Sequence, residues 1–110
     1  METNTPLESY QPEPADVLRR KTIEALMAKY TDVSESQLAG IVDSLLYDML
    51  SENKISGLIH RLSPDEQEKA LLSIGAENLD EAINKIIATL QDATIEFHMK
   101  KLGVKREFDL

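Results

Sequence analysis

From Ala15 onward apolar residues recur at spacings of three and four rather than at alternate positions, a pattern that predicts helices over most of the chain. Between Ala15 and Tyr30 they form two rows, one of Leu18, Thr22, Ala25 and Leu26 and another of Ile23, Met27 and Tyr30. Leu38, Ile41, Val42, Leu45, Leu46 and Met49 come next at i, i+3, i+4 and i+7, which is a helix with one face in a core. Its start is marked by Ser34 and Gln37 in capping-box register, with Val33 and Leu38 at the staple positions, and its end is expected near Ser51.

Beyond it, Ile55, Leu58, Ile59 and Leu62 suggest a short helix beginning near Asn53, weakened by about 1 kcal/mol of helix propensity at Gly57. Ser63-Pro64-Asp65-Glu66 is a further start, with a capping serine, proline at the first helical position and acids in the first turn. Gly75 stops that helix. Asn78 and Glu81 then open a long helix expected to run from Leu79 to Leu102, closed by Gly103 and carrying Lys100 and Lys101 at the negative end of its dipole. Its inner stripe is expected to be Leu79, Ile83, Ile86, Ile87, Leu90, Ala93, Thr94 and Phe97, with Ile95, Met99 and Leu102 on a second side.

No hairpin turn of the Asn-Gly or Asp-Gly kind occurs, and no internal repeat has a solenoid period. The fold expected is therefore all-α: a small bundle of four or five helices over residues 15–103 with a long C-terminal helix. Residues 1–14 carry Pro6, Pro12 and Pro14 without apolar periodicity and are expected to form a disordered acidic tail, in which Leu7 and Tyr10 are the positions suited to docking. Residues 104–110 make a short second tail of mixed charge.

Composition narrows the function classes. Twenty acidic residues against twelve basic give a net charge of −8, which opposes phosphate backbones and anionic lipid unless a local basic patch reverses the field. With no cysteine, thiol nucleophiles, disulfides and cysteine-based metal centres are excluded. The first residues lack both a basic flank and an apolar run, and nothing approaches the roughly 18 apolar residues of a membrane span, so a cytoplasmic protein is expected.

Two basic clusters stand out against that charge: Arg19, Arg20 and Lys21 near one end, and Lys100, Lys101, Lys105 and Arg106 near the other. Brought together they would make a candidate anion-binding surface, as a nucleic-acid-associated regulator would need; an acidic inhibitor imitating nucleic acid is the converse possibility. A helix-turn-helix reader built on residues 70–87 is disfavoured, because Glu77, Asp80 and Glu81 crowd the start of the helix that would enter the groove.

Catalytic and metal constellations are not apparent. His60 and His98 lack the helical Glu and His partners of zinc and di-iron patterns, so each reads as solvent-facing or structurally satisfied. Asp43 with Asp48, and Glu77 with Asp80 and Glu81, carry no distinguishing spacing, whereas Glu81 with Lys85, Asp65 with Lys69, and Glu96 with Lys100 are spaced as surface ion pairs. No cofactor motif and no nucleophile elbow occur.

What remains is apolar surface. A helix with apolar stripes on two sides touches two things, so Ile23, Met27 and Tyr30 at one end and Ile95, Met99 and Leu102 at the other are the candidate partner-binding residues. The expectation is a non-enzymatic protein-interaction module, an adaptor, assembly factor or regulator, that pairs with itself as a homodimer or with another protein.

Overall fold

The computed structural model describes residues 12–104. Within them lie α1 (Pro14–Lys29), α2 (Glu35–Glu52), a 3-10 turn (Ile59–Arg61), α3 (Pro64–Leu72), α4 (Leu79–Ala88) and α5 (Asp92–Lys101), with no strand among the described residues. The all-helical class is as the periodicity predicts. No helix here is long and apolar enough to cross a membrane.

α1 occupies the centre: it packs on α2 on one side and on α3, α4 and the 3-10 turn on others, while α3 pairs with α4 and α2 carries α5. That position accounts for its two stripes. Leu18, Thr22, Ile23, Leu26 and Tyr30 are all buried, drawn inward by different neighbours, and only Met27 of the second row stays exposed. The shared interior is completed by Leu38, Ile41, Leu45, Leu71, Ile83 and Ile95.

The helix starts obey local chemistry. Ser34 accepts from the Gln37 amide, Asn78 accepts from the Glu81 amide, and Ser63 and Glu66 form a complete reciprocal box. α1 is different. Pro14, expected in the tail, is the buried first residue of the helix, and Glu13 at the cap position supplies no side-chain bond to it. The cap comes instead from α3, where the buried Gln67 accepts the Ala15 N–H at 3.0 Å and donates to Glu13 Oε1 and to the Leu62 carbonyl, both at 2.9 Å.

The long C-terminal helix is the expectation that changes most. It is two helices, because α4 ends at Ala88 and the chain turns through Thr89–Gln91 before α5 begins. Neither glycine nor proline breaks it. The Thr89 hydroxyl bonds back to the Ile86 carbonyl at 2.7 Å, the Thr89 and Leu90 amides close tighter i→i−3 bonds, and Asp92 is captured by Lys29 and Tyr30 of the α1 terminus. The break resets the rotation of α5 relative to α4. Ile95 and Met99 face the core, whereas Ala93, Thr94 and Phe97, expected inward, are exposed, Phe97 to 61 %.

The segment after α2 departs from expectation as well. No α-helix forms at 53–62; α2 closes in a Schellman turn, with the Ile55 amide bonded to the Leu50 carbonyl at 2.8 Å and the Lys54 amide to the Ser51 carbonyl at 3.1 Å. Lys54 takes the left-handed position at φ 63°, and the flanking Leu50 and Ile55 are buried, the apolar contact such turns favour. At the short 3-10 turn, Leu58 points outward and Ile59 inward.

Candidate docking groove

Four of the six expected partner-binding residues are interior. Ile23, Tyr30, Ile95 and Met99 belong to the core of the single chain, leaving Met27 and Leu102 partly exposed at 40 % and 47 %. The second stripes thus meet partners within the same fold: Ile23 and Tyr30 under the neighbours of α1, Ile95 and Met99 on α2.

The first basic cluster is met by carboxylates. Arg19 pairs with Asp43 through two bonds, Nε to Oδ1 at 2.6 Å and one terminal nitrogen to Oδ2 at 3.2 Å, and Asp43 holds its guanidinium pKa above the ordinary arginine value. Arg20 lies 4.0 Å from Glu24 and Lys21 3.7 Å from Asp80, so each cation of that cluster faces a carboxylate. Lys100 and Lys101 lie at the far end of α5, which packs on α2, and they form no ion pair among the described residues. Lys105 and Arg106, like Leu7 and Tyr10, lie outside the described residues. None of the three ion pairs expected from helical spacing forms, and in one of them both partners bond elsewhere: Lys85 donates to the Gly75 carbonyl at 3.0 Å, and the Glu81 carboxylate accepts the Glu77 amide at 2.6 Å.

His98 is buried, with only 2 % of its surface exposed, and both its ring nitrogens have polar neighbours. Its Nδ1 shares a hydrogen bond with Ser44 Oγ at 2.8 Å, and its Nε2 lies 3.4 Å from Asp48 Oδ2. A Ser, a His and an Asp in contact invite comparison with a nucleophilic triad. Ser44, however, sits in the middle of α2, where the surrounding amides are committed to helical bonds and none is free to stabilise an oxyanion. The arrangement fastens α5 to α2. His60, by contrast, is exposed, and no group of three or more His, Asp or Glu side chains is gathered for a metal among the described residues.

The surface feature that helical periodicity does not reveal is a groove of about 620 Å³ between α1, α2 and the 57–60 segment. The buried Leu18, Leu46, Leu50 and Ile59 give it an apolar floor, and the Arg19–Asp43 pair, Asp16 and His60 also line it. Tyr47 and Leu58 also line it, exposed at 50 % and 38 %, two of the five large apolar side chains that the described surface leaves most open. A smaller cavity of about 190 Å³ lies between the end of α2 and α4, beside Ile55, Ile74 and Ile86.

Gly57 shapes the groove. A Cβ there would fall 2.7 Å from Ser51 Oγ and 3.0 Å from two carbons of the Tyr47 ring, so any larger residue must push these two side chains aside. In the sequence Gly57 stands out only as a weak point in a helix. Tyr47 falls between the apolar positions of α2, on the face that the pattern assigns to solvent; its signal is a large aromatic on the polar side of an otherwise well-patterned helix. Compared with family models, with curated proteins and with solved structures, the chain matches none, so the geometry carries the functional reading.

Proposed function

We propose that this chain is a non-enzymatic helical interaction module that receives a segment of another protein in the groove between α1, α2 and residues 57–60. The observation that supports this is the pairing of an apolar floor with two exposed lips, Tyr47 and Leu58, in one concavity of a size that binding sites commonly have. Most of the second stripes that suggest self-association are already satisfied inside the fold, so pairing through a Met27 and Leu102 seam is the weaker form of the reading.

The test is a photo-crosslinking amino acid placed at position 47 and, separately, at position 97 on the exposed outer face of α5, with adducts identified by mass spectrometry. A discrete protein adduct from 47, lost when the unsubstituted chain is added in excess and not formed from 97, is the expected result. The same adducts from both positions, or none from 47, would overturn the proposal. An adduct that is the chain itself identifies the homodimer.

A further inference from the structure

We infer that the occupant of this groove is a basic, amphipathic α-helix of a partner protein; this rests on the protein-binding reading above. Folded domains hold peptide segments in a few recurring ways, and this surface suits one of them. Strand addition needs a sheet edge, and the described residues contain no strand. A proline-rich ligand docks on a succession of aromatic rings, and the groove has one, Tyr47. Recognition of an acidic or phosphorylated motif needs a free guanidinium, and both bonds of Arg19, the only arginine in the lining, go to Asp43. What the groove offers is an apolar floor beside the exposed Tyr47 and Leu58, an apolar surface without backbone groups to pair, the form that takes the apolar face of a helix.

Charge sets the sign of the partner's flanks. Within the lining Arg19 and Asp43 are spent on each other, which leaves the exposed Asp16 as the carboxylate without an ion pair. The whole chain is at −8. An acidic helix would be repelled by this charge, whereas lysines flanking an apolar stripe would meet Asp16, and the open face of Tyr47 gives a cation a ring to lie over.

The experiment uses the full chain, isotope-labelled, titrated with synthetic amphipathic peptides of roughly 14 residues, or four turns. One has a leucine stripe flanked by lysine, one the same stripe flanked by glutamate, and one the same lysines with serine replacing leucine. The expected result is that the leucine–lysine peptide alone shifts amides confined to 15–19, 43–50 and 57–60. Its affinity should fall about tenfold in the doubly substituted Tyr47→Ser, Leu58→Ser chain and severalfold, about fivefold, in Asp16→Lys, and should be unchanged in Phe97→Ser. Because Tyr47 and Leu58 are exposed, these variants are expected to keep the helical content of the parent. Gly57→Ala, which pushes the Tyr47 ring aside, gives an independent check and should also weaken binding.

The inference is overturned if the glutamate peptide binds equally well, if the serine–lysine peptide binds as strongly, or if the shifts spread over the whole acidic surface and survive the loss of Tyr47 and Leu58. It also falls, with the protein-binding reading intact, if position 47 crosslinks to a protein through a segment that is not a basic helix. If position 47 captures nothing, both fall together.

Discussion

Gln67 joins three parts of the chain through one amide. Its carbonyl takes the N–H of Ala15 and its nitrogen donates to a carboxylate and a carbonyl, so turning the amide over would set oxygen against two acceptors, and the network fixes one orientation. Gln67→Leu keeps the volume but strands these partners; a loss of about 2–3 kcal/mol in urea unfolding is expected. Nothing adjacent in sequence announces the role, since its partners on α1 lie 52 and 54 residues away. The capping serines are legible for the opposite reason, that each acts within its own turn. Asp92 belongs with Gln67. Lys29 first, and then the Tyr30 hydroxyl, stabilise its charged form and lower its pKa. A carboxylate whose folded pKa is depressed adds stability above its unfolded value and loses it as pH falls through the folded one. Asp92→Asn should therefore lower Tm most near neutrality, and the gap from the parent should close below about pH 4 in a thermal melt series.

Among the elements, the break between α4 and α5 decides which residues are core. Read as one helix, 79–102 places Phe97 inside and Ile95 on a second face; with the break, their roles exchange. Ile95→Ala should cost about 2–5 kcal/mol, and Phe97→Ser should stay within about 0.5 kcal/mol of the parent, the reverse of what an uninterrupted helix predicts. The break escapes the pattern because its cause is tertiary: residues 79–102 contain no glycine or proline, and the capture of Asp92 by the end of α1 is invisible to local propensity. The two Schellman turns make a matched pair. α5 closes on Gly103 at φ 67°, with the Val104 amide on the Met99 carbonyl at 2.9 Å, as the glycine predicts. α2 closes on Lys54, which no rule of composition would choose. Lys54→Gly should stabilise by up to about 1 kcal/mol, while Gly103→Ala should destabilise by about 1 kcal/mol or more, both read by denaturant midpoint.

At the level of the whole molecule, the central placement of α1 turns a pattern that suggests a dimer seam into an internal arrangement. Two apolar rows on a helix say that it has two sets of neighbours, and only topology says whose they are. With Ile23, Tyr30, Ile95 and Met99 inside, light scattering should give the mass of one chain at all but the highest concentrations, and Ile95→Ala should change Tm rather than mass. The all-α class and most helix starts are legible because period and caps are local properties. The groove is not, because its floor comes from α1, α2 and a segment that leaves the helical pattern, and its lips are single residues without a period.

The way α5 is attached carries one more consequence. It rests on α2, held at its start by Lys29 and Tyr30 and midway by His98 against Ser44, and it shares little with α3 or α4. Such an element can come away without the rest unravelling, as a cooperative unit of its own with an opening free energy below that of global unfolding. Native-state hydrogen exchange should then show the α5 amides exchanging as a group well ahead of those in α1, and a protease present during that opening should shorten the chain from its C-terminal side first.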